Sequence, residues 1–138
     1  MAKESGLGMT VVVDDSSGSG QALTDDITAV SWTMPSAVQD VTPLNKSGHE
    51  RLHLLADFSI TINAVFDDGS NLMFAVFKNY RTLAASQKGR TTVITHSAQI
   101  LSNEVLYTDF PFSRGAGGEL TAAIPGQLGD GTVPVWTT

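Results

Sequence analysis

This 138-residue chain is predicted to fold as a mainly β domain with a single α-helix, on three observations. First, Leu54, Ala56, Phe58, Ile60, Ile62, Ala64 and Phe66 alternate with Leu55, Asp57, Ser59, Thr61, Asn63 and Val65. Period-two alternation over that length predicts one long strand with a dry face and a largely polar face. Second, Asp67-Asp68-Gly69-Ser70-Asn71 ends the alternation, and Leu72-Met73-Phe74-Ala75-Val76-Phe77 follows without a polar residue. That run predicts a helix over 69–80, capped by Ser70 or Asp68 and apolar on nearly every side. Third, 13 glycines with abundant Ser, Thr, Val and Ile favour strands joined by frequent turns.

The elements follow in chain order. Residues 1–9 are small, polar and glycine-containing, and are expected to form a flexible arm ahead of a single domain over 10–138. Thr10-Val11-Val12-Val13 is a short strand, closed by the loop-forming Asp14 to Gly20. Ile27 to Met34 is a second strand, ended by Pro35, which cannot donate to a ladder. The segment 35–52 has no clear period, yet carries Val38, Val41 and Leu44; it is expected to be an extended hairpin arm or a partner-contacting loop. Arg90 to His96 is a strand, and Ser97 to Leu101 and Val105 to Phe110 continue as strand. A phase change at Ser102-Asn103-Glu104 predicts a bulge or tight bend there. Arg114 to Gly118 is a turn, and Glu119 to Ile124 a strand ending at Pro125-Gly126. The tail 128–138 ends in Val133-Pro134-Val135-Trp136, costly to leave wet and expected to dock on this domain or on a neighbour.

Composition narrows the function. Hydrophobic residues make up 41% and charged residues 16%, against roughly 25% charged in an average soluble domain. Small neutral polar residues take the place of the missing charge, which suits surfaces buried between subunits. The formal net charge is −6, and the eight basic residues are scattered at Lys3, Lys46, Arg51, Lys78, Arg81, Lys88, Arg90 and Arg114. Phosphate neutralisation needs them clustered, so a nucleic-acid-binding surface is not expected. No cysteine is present, which excludes a disulfide framework and a thiolate metal site. Residues 1–8 show no apolar signal-peptide core, and no apolar run approaches the ~20 residues of a membrane span. The chain is expected to be soluble, without a membrane anchor, and intracellular when made.

Catalytic and metal chemistry find little support. His49 and His53 have the spacing of two ligands on a helix, but they stand outside any helical pattern and lack HExxH and a third ligand. Asp14-Asp15, Asp25-Asp26 and Asp67-Asp68 invite a calcium site, yet each sits beside Gly, Ser or Thr as turn acids do. No nucleophile elbow, phosphate loop or dinucleotide fingerprint occurs. No catalytic residue, metal ligand or cofactor is therefore assigned, and an enzyme is not expected. The helix is the unusual element, because Leu72, Phe74, Ala75 and Phe77 lie around its circumference and cannot all reach one sheet face. A groove on a neighbouring copy is the expected home for Phe74 and Phe77, which points to a self-assembling structural subunit.

On these residues the chain resembles the tail tube (major tail) proteins of long-tailed bacterial viruses, particularly the non-contractile siphophage type. The resemblance spans Thr10 to Trp136. It rests on the strand Ile27–Met34, the loop with Asp40-Val41-Thr42, and Phe58-Ser59-Ile60-Thr61-Ile62-Asn63. The lone helix from Asn71 to Lys78 and the segment Gly118 to Ile124 complete it. The resemblance implies a β-sandwich with one flanking helix and extended loop and terminal arms, closing into hexameric rings that stack into a tube. Each subunit would lend strands to a β-barrel around a DNA-conducting lumen, lined by Asp57, Ser59, Thr61, Asn63, Gln99 and Asn103. Contacts within and between rings would fall to Val38, Asp40, Val41 and Leu44 of the loop, Leu72, Phe74 and Phe77 of the helix, and Val135 and Trp136 of the tail. Six copies at −6 carry 6 × −6 = −36 per ring, so double-stranded DNA would pass by repulsion rather than bind. The implied partners are further copies, then the tape measure, tail tip and tail terminator proteins. The implied location is the virion tail, after synthesis in the host bacterial cytoplasm. Competing expectations are a monomeric β-sandwich module binding carbohydrate or calcium, and a minor virion or head–tail joining protein.

Overall fold

The computed structural model describes residues 3–81 and 89–138. Thr10–Asp14 (β1) turns back into Gly20–Ala22 (β2), a short strand that the sequence did not announce. Asp15 builds the turn: its Oδ1 accepts the N–H groups of Ser17 and Ser19 at 2.9 and 3.0 Å. The Ser17 hydroxyl foremost, with the other donors, draws the Asp15 carboxyl down to a pKa of about 2. Ile27–Thr33 (β3) follows and stops before Pro35 as expected. Segment 35–52 then contributes to a hairpin, Ser36–Asp40 (β4) with Arg51–Ala56 (β5), which forms a separate two-stranded sheet.

The single long strand expected over Leu54–Phe66 is divided. β5 ends at Ala56, and Ser59–Val65 (β6) begins a new strand in the main sheet. At the break the Asp57 N–H donates to the Pro35 carbonyl at 2.9 Å, and Asp57 Oδ1 accepts the Phe58 N–H at 2.7 Å. The alternation runs unchanged through the break because the same side stays apolar on both halves. Only the second half has a core to bury it in.

The helix is also shorter than expected: Met73–Phe77 (α1) replaces 69–80. Neither Ser70 nor Asp68 caps it; the N-cap is Leu72, without a side-chain bond. The carboxylate at its start comes from far away in sequence, as Asp26 Oδ2 accepts the Met73 N–H at 3.2 Å.

Gly89–His96 (β7), Gln99–Tyr107 (β8), Phe112–Arg114 (β9), Leu120–Leu128 (β10) and Trp136–Thr137 (β11) complete the chain. The main sheet runs β2-β1-β7-β8-β10-β6-β3, with β9 on β10 and β11 on β8. It bends so that the inner sides of β1 and β7 meet those of β6 and β10 in one core with α1. Val13, Phe58, Ile62, Ile94, Leu101, Val105 and Ile124 fill that core with no exposed surface.

Two irregularities expected from the sequence are absent. β8 is continuous, with Leu101, Asn103, Val105 and Tyr107 all on its inner side. The apparent phase change came from Asn103, a polar residue in a core-facing position, buried without a hydrogen-bond partner. β10 continues through Pro125 and Gly126. Pro125 lies where β10 exchanges one neighbour for another, pairing with β9 through Leu120–Ala122 and with β8 through Gly126–Leu128. Gly126 is required at the crossing, since a Cβ there would lie 2.5 Å from Val105 Cγ1 and 3.1 Å from Ile60 Cγ2.

Phe77 corrects an assignment. It is 1% exposed, its ring set edge-on against Tyr107 at 5.0 Å and beneath the Arg90 guanidinium at 5.8 Å. Arg90 is itself buried and donates to the carbonyls of Val76 and Asp14, and burial lowers its pKa. Phe77 is thus a core residue joining α1 to β8 and cannot serve as a subunit contact. Phe77→Ala is expected to cost about 3–5 kcal/mol of stability in urea unfolding.

Burial foremost, then the neighbouring Asp67 carboxyl, raises the pKa of Asp26 above its ordinary 3.8. Folded Asp26 therefore keeps its proton longer than the unfolded chain does. Its contribution is full below the ordinary value and is lost as pH rises through the raised one. Asp26→Asn keeps an acceptor for Met73 and should gain stability relative to the parent between pH 4 and pH 7. Urea midpoints of both proteins across that range check the sign.

Candidate assembly surfaces

The β4–β5 hairpin has no core. Every residue of both strands is exposed except Ala56, which is half-buried. Leu44 at the tip is fully exposed, Leu55 is 88% exposed, and Val38, Val41, Leu52 and Leu54 are also open. A polar clasp sets its shape. Thr42 Oγ1 donates to Asp40 Oδ1 and accepts the Glu50 N–H at 2.8 Å, while His49 Nδ1 lies 3.0 Å from Asp40 Oδ2. The Thr42 bonds foremost, helped by His49, lower the Asp40 pKa. A two-stranded ribbon holding six open apolar side chains is marginal alone. Of the expected contact residues, Val38, Asp40, Val41 and Leu44 lie on it together. Leu52, Leu54 and Leu55 belong with them; Leu52 and Leu54 are in phase with the buried strand and Leu55 stands on the opposite side, a pattern that does not mark them as lying outside.

The strand registers decide which side chains share a face. Ser59, Thr61 and Asn63 stand opposite Thr33, Ser31 and Ala29 of β3 and opposite Gln127, Pro125 and Ala123 of β10. Thr121 and Val65 form one further pair on that side. This outer face holds no Asp, Glu, Lys or Arg on the three strands. Gln99 and Asn103 do not share it. Through Gly126↔Tyr107 and Ile124↔Ile62 they fall on the inner side, Gln99 at its exposed end and Asn103 buried. Their grouping with Ser59, Thr61 and Asn63 is therefore corrected. Asp57 is exposed at the root of the arm, ahead of β6.

The remaining expected contacts are dispersed. Leu72 and Phe74 are half-buried. Phe74 joins an aromatic cluster with Phe66, Phe110 and Phe112, at ring distances of 5.2, 6.1 and 6.4 Å. The tail docks on its own domain: Pro134 is buried, Trp136 pairs with Leu101 in β8, and its ring lies 6.2 Å from Trp32. Val135 remains 68% exposed. Trp32, which nothing in the sequence distinguished from core, thus marks one end of the sheet. Among the described residues no three His, Asp or Glu could hold a metal ion together, and no helix is long and apolar enough to cross a membrane.

The sequence itself matches no protein-family model and no curated protein. The fold does match solved structures. The chain superposes on a chain from the tail of an empty gene transfer agent (GTA) particle, solved by helical refinement with C6 symmetry. That match has a TM-score of 0.74 and 18% identity, over 99% of this chain and 100% of the other. A chain of the native gene transfer agent virion matches with a TM-score of 0.72 and 15% identity, over 99% and 100%. A chain of the SPP1 tail tube matches with a TM-score of 0.68 and 12% identity, over 98% and 79%.

Because none of the described residues covers the arm, Leu44→Ser, Leu52→Ser and Leu54→Ser should each change monomer stability by less than about 0.5 kcal/mol in urea unfolding. The fold these residues hang on is shared with a chain of the SPP1 tail tube and with chains of gene transfer agent particles.

Proposed function

We propose that the chain is the repeating subunit of a phage-type tail tube, closing into six-membered rings that stack around a bore. One observation carries this reading: an arm without a core projects from a chain whose fold, end to end, matches subunits of assembled tails. A fold of that kind with a ribbon of open leucines is unfinished as a monomer.

The branch at β10 supplies the ring geometry. Through its first half β10 joins β9, so β3-β6-β10-β9 is a four-stranded layer, with no further strand among the described residues at either edge. Such edges template further pairing, and copies joined edge to edge abolish them. Six layers of four give a 24-stranded barrel, roughly 45–50 Å between opposite backbones at ordinary strand spacing and tilt. That bore admits a nucleic-acid duplex.

The outer face of this layer lines the bore in the proposed ring. Ser59, Thr61 and Asn63 keep the role the resemblance implied, joined by Ser31, Thr33, Ala123 and Gln127, while Asp57 stands at the rim. The outer face of the lining strands carries no charge, since Arg114 of β9 pairs with Leu120 on the inner side, so DNA passes over hydroxyl, amide and methyl groups. It gains no phosphate-neutralising contacts there. The net −6 belongs to loops and to the other strands, so the repulsion implied by ring charge acts from outside the lining. Val38, Asp40, Val41 and Leu44 on the arm, Leu72 at the start of α1 and Phe74 within it, and Val135 on the tail supply contacts between copies. Tape measure, tail tip and tail terminator proteins are the further partners of this reading, with assembly in the host cytoplasm and a final place in the virion.

Concentrated purified protein should show hollow tubes in negative stain. Replacing Ser36–Ala56 by a short Gly-Ser link should abolish them while leaving the monomer's thermal midpoint within a few degrees of the parent. Tubes that form as well without the hairpin would refute the arm's role. A parent that stays monomeric at every concentration would refute the tube.

A further inference from the structure

The N-terminal segment, expected to be a flexible arm, lies across one end of the core. The Met9 N–H closes a turn on the Gly6 carbonyl at 3.4 Å, and Leu7 is 87% exposed. Little lies beneath it. Gly6 to Met9 line a hollow of about 420 Å³ against Thr24 and the first half of β3. On the other side, Glu4 and Met9 wall a mouth of about 470 Å³ with Trp32, His96, Gln99 and Trp136. A segment resting on two hollows belongs to the low-stability end of a structure and opens before the rest of the fold.

One side chain fastens it. Glu4 Oε2 stands 3.8 Å from His96 Nε2, and Glu4 Oε1 accepts the Ser97 hydroxyl at 3.5 Å. Both distances are long for a hydrogen bond or an ion pair. Ser97 opens the two-residue turn between the paired His96 and Gln99 with a φ of 55°, a left-handed conformation that glycine would hold at less cost. The hydroxyl that reaches Glu4 is what a glycine would lack there. Both ring nitrogens of His96 are buried without a hydrogen-bond partner. The carboxylate next to that ring is Glu4.

We propose that residues 3–9 form a proton-controlled strap: a charged His96 draws Glu4 in and closes the strap over Trp32 and Trp136, and a neutral His96 releases it. The inference stands apart from the tube reading. An imidazolium carries an N–H at both nitrogens together with a full charge, and a cation so placed is stable only beside an anion. The charge-assisted bond it forms is shorter than a neutral one and roughly twice as strong. A carboxylate is ionised throughout the range in which a histidine titrates. Closure therefore strengthens as pH falls through that range and weakens as pH rises through it. Of the side chains lining the mouth, Glu4 and His96 alone titrate, and Lys3 stands exposed beside Glu4 on the strap itself. β3 and β11 carry no titratable side chain. Those of β1, β7 and β8 other than His96 (Asp14, Arg90, Glu104 and Tyr107) lie towards the opposite ends of their strands.

The chain has two tryptophans and both line this mouth, so acrylamide quenching of their fluorescence reads its opening. Full-length protein is held dilute enough to remain monomeric. Quenching should be roughly two- to fivefold weaker one pH unit below the ordinary histidine value of about 6.5 than one unit above it, the size of effect a half-exposed ion pair gives. Glu4→Gln and His96→Gln should each abolish that difference and leave the mouth open at both pH values. Ser97→Gly should increase quenching on both sides without lowering the thermal midpoint, since it removes a fastening and eases the turn. A chain that begins at Met9 supplies the fully open value. A parent without the pH difference, or a difference that survives in both Glu4→Gln and His96→Gln, overturns the latch. Shortened chain quenched no more than the parent above the histidine range overturns the strap itself.

Discussion

The register of β6 between β3 and β10 is the constraint from which the other features follow. It sends Ile60, Ile62 and Ala64 inward and Ser59, Thr61 and Asn63 outward, and a slip of one residue would exchange the two sets. Gly126 locks it. The bare Cα of that glycine lets β10 pass over Ile60, Val105 and Tyr107, positions that a Cβ would contact at 2.5 to 3.1 Å. It is the single glycine within β10. The dry interior and the uncharged exterior are therefore two expressions of one alignment.

The interior tolerates polarity where geometry satisfies it. Thr92 and Tyr107 share a hydrogen bond of 2.6 Å in the core, and burial pushes the Tyr107 phenol far above its ordinary pKa. Arg90 reaches two carbonyls with its guanidinium over Phe77. Removing one of the eight basic residues from the surface leaves the exterior more acidic than the composition suggests. The acids in turn gather at loops and turns, where Asp15, Asp40 and Asp57 bond to backbone N–H groups or neighbouring hydroxyls.

Most of the architecture was legible because it rests on local rules. Alternation located β1, β3, β6 and β7, Pro35 ended β3, and the Ser59–Thr61–Asn63 side was read correctly as the wet one. What stayed hidden depends on tertiary partners. Asn103 looked like a break because a polar side chain occupies an inward position. Phe77 looked surplus because its partners, Tyr107 and Arg90, lie 30 and 13 residues away. Pro125 looked like an end because the change of neighbour at β10 has no sequence signature. The unpatterned first half of the arm pointed to an extended hairpin or a partner-contacting loop, and a hairpin is what forms. Its second half, however, obeys the same period as the core strand, and only the absence of anything to cover it tells them apart.

The clasp of Asp40, Thr42, His49 and Glu50 gives the hairpin a shape but little free energy, so in the proposed tube much of its ordering would fall to the contact with another copy. Each association then surrenders conformational freedom that a preformed plug would already have lost, and individual contacts are weaker than their area suggests. Weak single contacts let a misplaced subunit leave before the next one traps it. A soft appendage on a rigid sandwich is in this sense an error-correcting device, and the regularity of a long polymer is the property it would protect.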